Sequence, residues 1–149
     1  WFSITIGPYA DVGCQRVVAP RGSLDSGAAV IPSCTLYNYG LNSQNYPVRM
    51  RIGASYDNTV QVANHAPGTK VYVTFPSFTA RERSGILVAC STELAQDLVP
   101  ANNRDTTRLF VRVNDMAPCR IVVPVGIIDS NTSYTPACSV ENAGNTDYG

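Results

Sequence analysis

The fold is decided by residues 11–40, DVGCQRVVAPRGSLDSGAAVIPSCTLYNYG, which the chain begins again at residues 115–144 as DMAPCRIVVPVGIIDSNTSYTPACSVENAG. At an offset of 104 residues, eleven positions are identical in the two copies. Prolines, glycines and a cysteine repeated in one register indicate an internal structural repeat. The identical pairs are Asp11 and Asp115, Arg16 and Arg120, Val18 and Val122, Pro20 and Pro124, Gly22 and Gly126, Asp25 and Asp129, Ser26 and Ser130, Pro32 and Pro136, Cys34 and Cys138, Asn38 and Asn142, and Gly40 and Gly144.

The repeat sets the predicted domain organisation. Residues 11–113 hold one complete module, and residues 1–10 form a strand arm in front of it. Residues 114–149 repeat only the first two strands of the module. Because two strands alone have no opposite sheet to bury against, we expect this partial repeat to be a joint between subunits.

Short apolar runs separated by glycine, proline and asparagine turns recur along the module. The plainest is residues 46–52, in which apolar and polar side chains alternate as in a half-buried strand. Pro32 interrupts the long run at 28–37, which indicates an edge position or a bulge. A single helical turn is expected at 94–98, in the long loop that follows Cys90. The pattern predicts an all-β, antiparallel, immunoglobulin-like sandwich of about seven strands.

Composition limits the partners and the compartment. Only 15% of the residues are charged and the formal net charge is zero, so no basic patch is available for nucleic acid. No apolar run reaches the ~18 residues of a membrane span. Five cysteines without a CxxC pair, beside one histidine, indicate disulfides rather than a metal site, and no metal or cofactor is expected. The chain opens on Trp1 without a leader, so we expect a secreted or cell-surface protein whose signal peptide has been removed.

Seven sequence runs, taken together, resemble the CARDB-like repeats, which are cell-adhesion-related sandwich modules of bacterial and archaeal secreted surface proteins. The resemblance implies a β-sandwich, extracellular display, and structural or adhesive work rather than catalysis, and it supplies no catalytic residues. The runs are DVG at 11–13, VVAPRGSLDSG at 17–27, VIPSCTLYNYG at 30–40, YPVRMRIG at 46–53, HAPGTKVYVTFPSFTA at 65–80, CSTEL at 90–94 and PANNRDT at 100–106.

The cysteines divide into two groups. Cys34 and Cys90 lie in strands expected to face each other across the sandwich, and a disulfide between them is predicted. Cys14, Cys119 and Cys138 are then left over. An odd cysteine in an oxidising compartment pairs outside its own chain or stays free. We expect at least one bridge between subunits, with Cys14 to Cys119 as the first choice.

The two ends of the chain predict head-to-tail polymerisation. An apolar strand at 1–9 and the inner face of the strands at 118–141 both lack a partner, and adding a strand from one subunit to a neighbour's open sheet edge would cover them. The predicted function is therefore a structural subunit of an extracellular filament or surface assembly, with other copies of itself as partner. The expected interface residues are Trp1, Phe2, Ile4, Ile6, Ile121, Val123, Ile127, Ile128, Tyr134 and Val140.

Two alternatives stay open. The chain is alternatively a fragment of a tandem-repeat adhesin, in which case it should be monomeric. It is alternatively a carbohydrate-binding module whose tyrosines stack on cell-surface glycans. Size-exclusion chromatography separates the first alternative from a filament subunit.

Five further features carry weaker hypotheses. We expect His65 to be exposed in a turn, the oxygen-rich loop at 97–105 to be solvated rather than bound to calcium, and Asn131 to be an acceptor for N-glycosylation. The arginines on two predicted strands are expected to protect sheet edges, or to form a patch for an anion. Glu82 with Asp97 or Asp105 forms no expected catalytic pair, and no enzyme activity is predicted. The arginines are Arg49, Arg51, Arg108 and Arg112.

Overall fold

A computed structural model describes residues 9–81 and 84–147, without the side chain of Ser84. The chain divides into two compact units, Trp1–Val111 and Arg112–Gly149. The strand predicted at residues 1–9 lies, apart from Tyr9, outside the described residues. The strands are β1 (Val12–Ala19), β2 (Gly22–Asp25), β3 (Ala29–Val30), β4 (Ser33–Asn38), β5 (Gln44–Ile52), β6 (Tyr56–His65), β7 (Lys70–Thr74), β8 (Phe78–Thr79), β9 (Ser84–Thr92), β10 (Arg104–Arg112), β11 (Met116–Val123) and β12 (Ala137–Asn142).

Two sheets form the body of the first unit. One has three strands in the order β1-β4-β7, and the other has five in the order β2-β10-β9-β5-β6. Their inner side chains alternate with outward polar ones, as the sequence pattern requires, and form one apolar core. The predicted immunoglobulin-like β-sandwich is confirmed. Fully buried members of the core include Val12, Val17, Leu36, Tyr46, Val48, Met50, Ile52, Val88, Leu109 and Val111.

Pro32 divides what the sequence analysis treated as one strand. β3 pairs with β8, whereas β4 pairs with β1 and β7, so the chain changes partners at the proline. Proline has no N–H to give to a ladder, which explains why the long strand ends there. The helical turn expected at 94–98 is also wrong, because the helical residues there are a 3-10 turn at Pro100–Asn102.

Asn38 fixes the end of the β1–β4 hairpin. Its side-chain amide donates to the carbonyls of Asn42 (2.9 Å) and His65 (2.7 Å), and its oxygen accepts from the Gly40 N–H (2.9 Å). A Cβ atom at Gly40 would lie 2.6 Å from the carbonyl oxygen of Tyr9, so only glycine fits. All three polar groups of this buried amide are therefore engaged in holding the turn.

His65 is buried, and the prediction that it would be exposed in a turn is wrong. β6 continues through this residue, which leaves its side chain only 5% exposed. Its Nε2 lies 3.0 Å from the carbonyl oxygen of Thr69 and therefore carries the proton. In the neutral ring Nδ1 then accepts from the Tyr46 hydroxyl at 2.7 Å. The ring joins β5 to the turn after β6, and this structural role occupies both of its nitrogens.

The second unit reproduces the β1–β4 hairpin. Every residue pair recorded between β1 and β4 recurs between β11 and β12 at the 104-residue offset, from Val12 with Asn38 (Met116 with Asn142) to Ala19 with Ser33 (Val123 with Ala137). The two register shifts also recur at the same places. The turn after β12 repeats as well, because the Asp115 carbonyl accepts from the N–H groups at 143 and 144, as the Asp11 carbonyl does at 39 and 40.

No helix in the described part of the chain has both the length and the apolar character needed to cross a membrane.

Replacing the amide at the two equivalent positions should have unequal effects on stability. Asn38→Ala removes bonds inside the core and should lower the free energy of unfolding by about 2–4 kcal/mol. Asn142→Ala, at the exposed equivalent, should cost under about 1 kcal/mol. Urea unfolding followed by circular dichroism measures both. Equal losses in the two variants would contradict the assignment of Asn38 as a buried hub.

Candidate functional site

The β11–β12 hairpin exposes the face that its copy buries. We call Ile121, Val123, Cys138 and Val140 the hairpin face. Ile121 is 66% exposed whereas its equivalent Val17 is 1% exposed, and Val140 is 62% exposed whereas its equivalent Leu36 is fully buried. Since the two hairpins share one register, the difference lies in what covers them and not in their own conformation.

A shallow apolar depression lies on the hairpin face. Its volume is about 330 Å³. Two prolines, which cannot donate hydrogen bonds, form its end. It is lined by Ile121, Val123, Pro124, Pro136, Ala137 and Cys138.

Three other predicted interface residues lie in the segment between β11 and β12. Ile128 and Tyr134 are equivalent to Leu24 and Val30, which pack against the edge of the core in the first unit. Ile127 is fully exposed, and its assignment to the inner face stays a prediction. Ile128 and Tyr134 are 48% and 40% exposed, and their place in the interface stays a prediction.

Side chains from the end of β9, from the loop that follows it and from β10 close the outer edge of β1. The Asp97 carboxylate accepts from the Val12 N–H at 3.0 Å, and the Asp105 carboxylate accepts from the Val17 N–H at 2.7 Å. The Thr92 hydroxyl donates to the Val12 carbonyl at 2.9 Å. These carboxylates serve the backbone of an edge strand, which gives the oxygen-rich loop a structural role.

β11 differs from β1 at this edge. Met116 and Ile121 are the equivalents of Val12 and Val17, and no side chain of the described residues accepts from their N–H groups. An edge strand without side-chain partners offers its backbone groups to another strand. The second hairpin thus combines an apolar face with an edge open to pairing.

Cys14, Cys34 and Cys90 converge in the core of the first unit. Their sulfur atoms all lie within 4.8 Å of one another, and the three thiols come from β1, β4 and β9. Hydrogen bonds from the Cys34 and Cys90 thiols lower the pKa of Cys14. The hydrogen bond to Cys14 raises the pKa of Cys34. The pKa of Cys90 is raised by its hydrogen bonds to Cys14 and Cys34 and by burial.

The sequence analysis paired Cys34 with Cys90 and assigned Cys14 to a neighbouring subunit. The structure brings Cys34 and Cys90 together as thiols, and their disulfide stays a prediction. A Cys14–Cys119 bridge between folded subunits is wrong, because Cys14 is only 7% exposed. The pairing of β1 with β4, which the sequence does not reveal, would have shown that Cys14 is buried. Cys14 pairs with Leu36 and Cys34 pairs with Val17, so both cysteines point inward on neighbouring strands.

Cys119 and Cys138 are both exposed and remain candidates for bridges between subunits. The Cys119 sulfur lies 3.2 Å from the Glu141 carboxylate, and this hydrogen bond raises the pKa of the Cys119 thiol. A higher pKa means less thiolate and slower exchange at neutral pH. Cys138 lies within the hairpin face, where a covering chain would meet it.

Arginines meet on the outer face of the five-stranded sheet. β5 and β10 both flank β9, which brings Arg49, Arg51 and Arg104 around one groove of about 110 Å³. Arg49 donates two hydrogen bonds to the Asp57 carboxylate. Edge protection is the wrong explanation for Arg49, Arg51 and Arg108, because β5 and β10 are interior strands. The groove is lined by Arg49, Arg51, Ala89, Ser91, Glu93 and Arg104.

Asn131 is exposed, with a φ angle of 64° in the segment between β11 and β12. A positive φ is typical of asparagine in a turn. Its N-glycosylation stays a prediction. Glu82 lies outside the described residues, and the carboxylates of Asp97 and Asp105 are occupied by backbone N–H groups.

The predicted Cys34–Cys90 disulfide has a direct test. A bridge across this loop of about 57 residues should add about 4 kcal/mol to the free energy of unfolding. Peptide mapping of the native protein under non-reducing conditions should recover the two cysteines in one linked fragment, and reduction should lower the unfolding midpoint. A map in which Cys34 is linked to Cys14, or in which all three are free, would overturn this pairing.

Comparison with solved structures identifies the fold. The crystal structure of the CARDB domain of the PF1109 protein from Pyrococcus furiosus, in complex with di-metal ions, matches with a TM-score of 0.57 and 16% identity, over 71% of this chain and 94% of that one. The solution structure of the same domain matches with a TM-score of 0.56 and 17% identity, over 69% and 95%. A β-glucosidase from Listeria innocua has a TM-score of 0.48 and 12% identity, over 70% of this chain and 16% of that one. No protein-family model and no curated protein sequence matches the chain. The chain therefore has a CARDB-like fold, an immunoglobulin-like β-sandwich.

Proposed function

We propose that this chain is a structural subunit of an extracellular filament or surface assembly, in which the module at 11–113 is the body and the β11–β12 hairpin is the joint. The CARDB-like fold and the resemblance of its sequence runs to adhesion-related modules support work at a cell surface. Low charge and zero net charge favour contact between copies, since little repulsion keeps them apart.

One observation carries this proposal: the same hairpin is buried in the first unit and bare in the second. Leaving a large apolar side chain in water forgoes about 1.5–3 kcal/mol of stabilisation for each one that could be buried. Ile121 and Val140 together represent several kcal/mol. A covering chain recovers that free energy, which is enough to favour association.

The occupant we propose is the N-terminal strand of a second copy of this chain. Trp1, Phe2, Ile4 and Ile6 give that strand apolar side chains for the depression on the hairpin face. Its backbone pairs with the open edge of β11, where Met116 and Ile121 lie. Donor and acceptor surfaces differ, so the contact is head-to-tail and extends into a filament or closes into a ring.

Self-association tests the joint. The full chain should show a mass that rises with concentration in sedimentation velocity, and filaments or rings in negative-stain microscopy. Ile121→Asp places a charge in the hairpin face and should weaken association at least about tenfold, because burying an unpaired carboxylate is costly. The matched control is Ser139→Asp, equivalent to Thr35 on the outer side of the hairpin, which should associate like the unchanged protein.

Deleting residues 1–9 distinguishes the donor strand from other occupants. The truncated protein should keep the circular dichroism of the folded module and remain monomeric. Association that survives the deletion would exclude the N-terminal strand as donor, and a full chain that is monomeric at every concentration would favour the adhesin fragment instead.

A second candidate function is glycan binding, favoured by tyrosines on the outer face of the three-stranded sheet. The Tyr37 and Tyr39 rings lie with centroids 4.5 Å apart. Tyr72, paired with Thr35 on the neighbouring strand, projects from the same face and is 59% exposed. Exposed rings along a sheet suit stacking against sugars.

A single substitution tests the glycan surface. If the tyrosines stack on sugar, Tyr72→Ala should weaken binding to an array of cell-surface glycans about tenfold. Tyr134→Ala, which removes an exposed tyrosine of the second unit, is the matched control and should leave binding unchanged. An array on which the unchanged protein binds no glycan excludes this function.

A further inference from the structure

Three thiols from distant parts of the sequence meet at one point inside the sandwich. Cys14 and Cys34 come from neighbouring strands of one sheet and Cys90 from the central strand of the other. Cys34 and Cys90 are fully buried. A disulfide uses two of these sulfur atoms and leaves the third without a covalent role. A ligand bound between the three sulfur atoms would contact all of them at once.

The spacing suits a metal ion with three sulfur ligands. A metal at the centre of three sulfurs, with bonds of about 2.3 Å, needs the sulfurs about 4.0 Å apart. The sulfurs lie at most 4.8 Å apart, so each needs to move inward by about 0.5 Å or less to reach that spacing. Rotation about the Cα–Cβ bond supplies movements of that size without shifting the strands.

The surroundings select the kind of metal. Thiolates bind soft metal ions, whereas structural zinc almost always takes four ligands. Within the described residues, no histidine or carboxylate joins the three sulfurs. The His65 ring is hydrogen-bonded to Tyr46 and Thr69. The Asp105 carboxylate accepts from the Val17 N–H. Cu(I), which is stable with three thiolates, fits a closed site of this kind.

We propose that Cys14, Cys34 and Cys90, when reduced, bind one Cu(I) ion as a trigonal thiolate site that links the two sheets of the sandwich. One Cu(I) replaces three thiol protons, which pass to solvent, so the loaded site carries two negative charges. Copper stays in the +1 state, so no oxidant or reductant takes part. Cys14 is the entry point because it is the only one of the three with any exposure. Metal binding and the Cys34–Cys90 disulfide exclude each other, so the site is loaded only in the reduced chain.

The test uses the full chain, reduced and then freed of reductant under nitrogen. Cu(I) is titrated in competition with a chromogenic Cu(I) chelator. One equivalent should be withheld from the chelator, with a new near-ultraviolet absorption from thiolate-to-copper charge transfer. Cys14→Val preserves an apolar side chain in the core and should lower the Cu(I) affinity at least about 100-fold. Cys90→Ala should lower the Cu(I) affinity to a similar extent. A cooperative thermal unfolding transition verifies that each variant is folded.

The double variant Cys119→Ser, Cys138→Ser is the matched control, because both thiols are exposed and belong to the second unit. It should withhold one equivalent with unchanged affinity. Four results would overturn the proposal: no copper withheld by the reduced chain, wild-type affinity in the Cys14→Val protein, loss of binding in the double variant, or a Cys34–Cys90 disulfide that cannot be reduced without unfolding the module. Displacement of the copper by equimolar Zn(II) would equally overturn the choice of metal.

Discussion

The sandwich depends on two carboxylates that hold the outer edge of β1. Asp97 and Asp105 accept from the backbone N–H groups of Val12 and Val17, which an edge strand would otherwise present to solvent. The bonds attach β1 of the three-stranded sheet to β10 of the five-stranded sheet and to the loop before β10. They fix β1 where its inner side chains meet the core, and they bring Cys14 within reach of Cys90. The same bonds satisfy the backbone groups that would otherwise attract a foreign strand.

The β11–β12 hairpin shows how the β1–β4 hairpin looks without these two carboxylates. It has the register of the first, down to its irregularities, without the carboxylates or the opposing sheet. The two hairpins therefore share one strand register, although only the first has its apolar face covered. Burial stabilises the first unit by removing apolar side chains from water. In the second unit the same stabilisation would be gained when a partner binds and covers them. The proposed joint rests on this difference.

The sequence alone predicted the sandwich, the repeat and most strand positions, because alternation and turn residues are local signals. It could not predict that Pro32 separates two strands with different partners, since pairing is a property of the sheet and not of the segment. His65 was misread for the same reason: its burial depends on Tyr46 and Thr69, which are reached only through the fold. Cys14 was assigned to the surface because nothing local reveals that its strand pairs with that of Cys34.

The recurrence of the hairpin also affects folding. During folding, the five-stranded sheet encounters two hairpins with the same backbone, and either one offers it an apolar face. Several inward side chains differ between them: Ile121 stands where the core has Val17, Val140 where it has Leu36, and Pro118 where it has Cys14. One methylene too many costs about 1–3 kcal/mol in a packed interior, and one too few leaves a void. Differences of this size favour the first copy as the interior and leave the apolar face of the second copy uncovered.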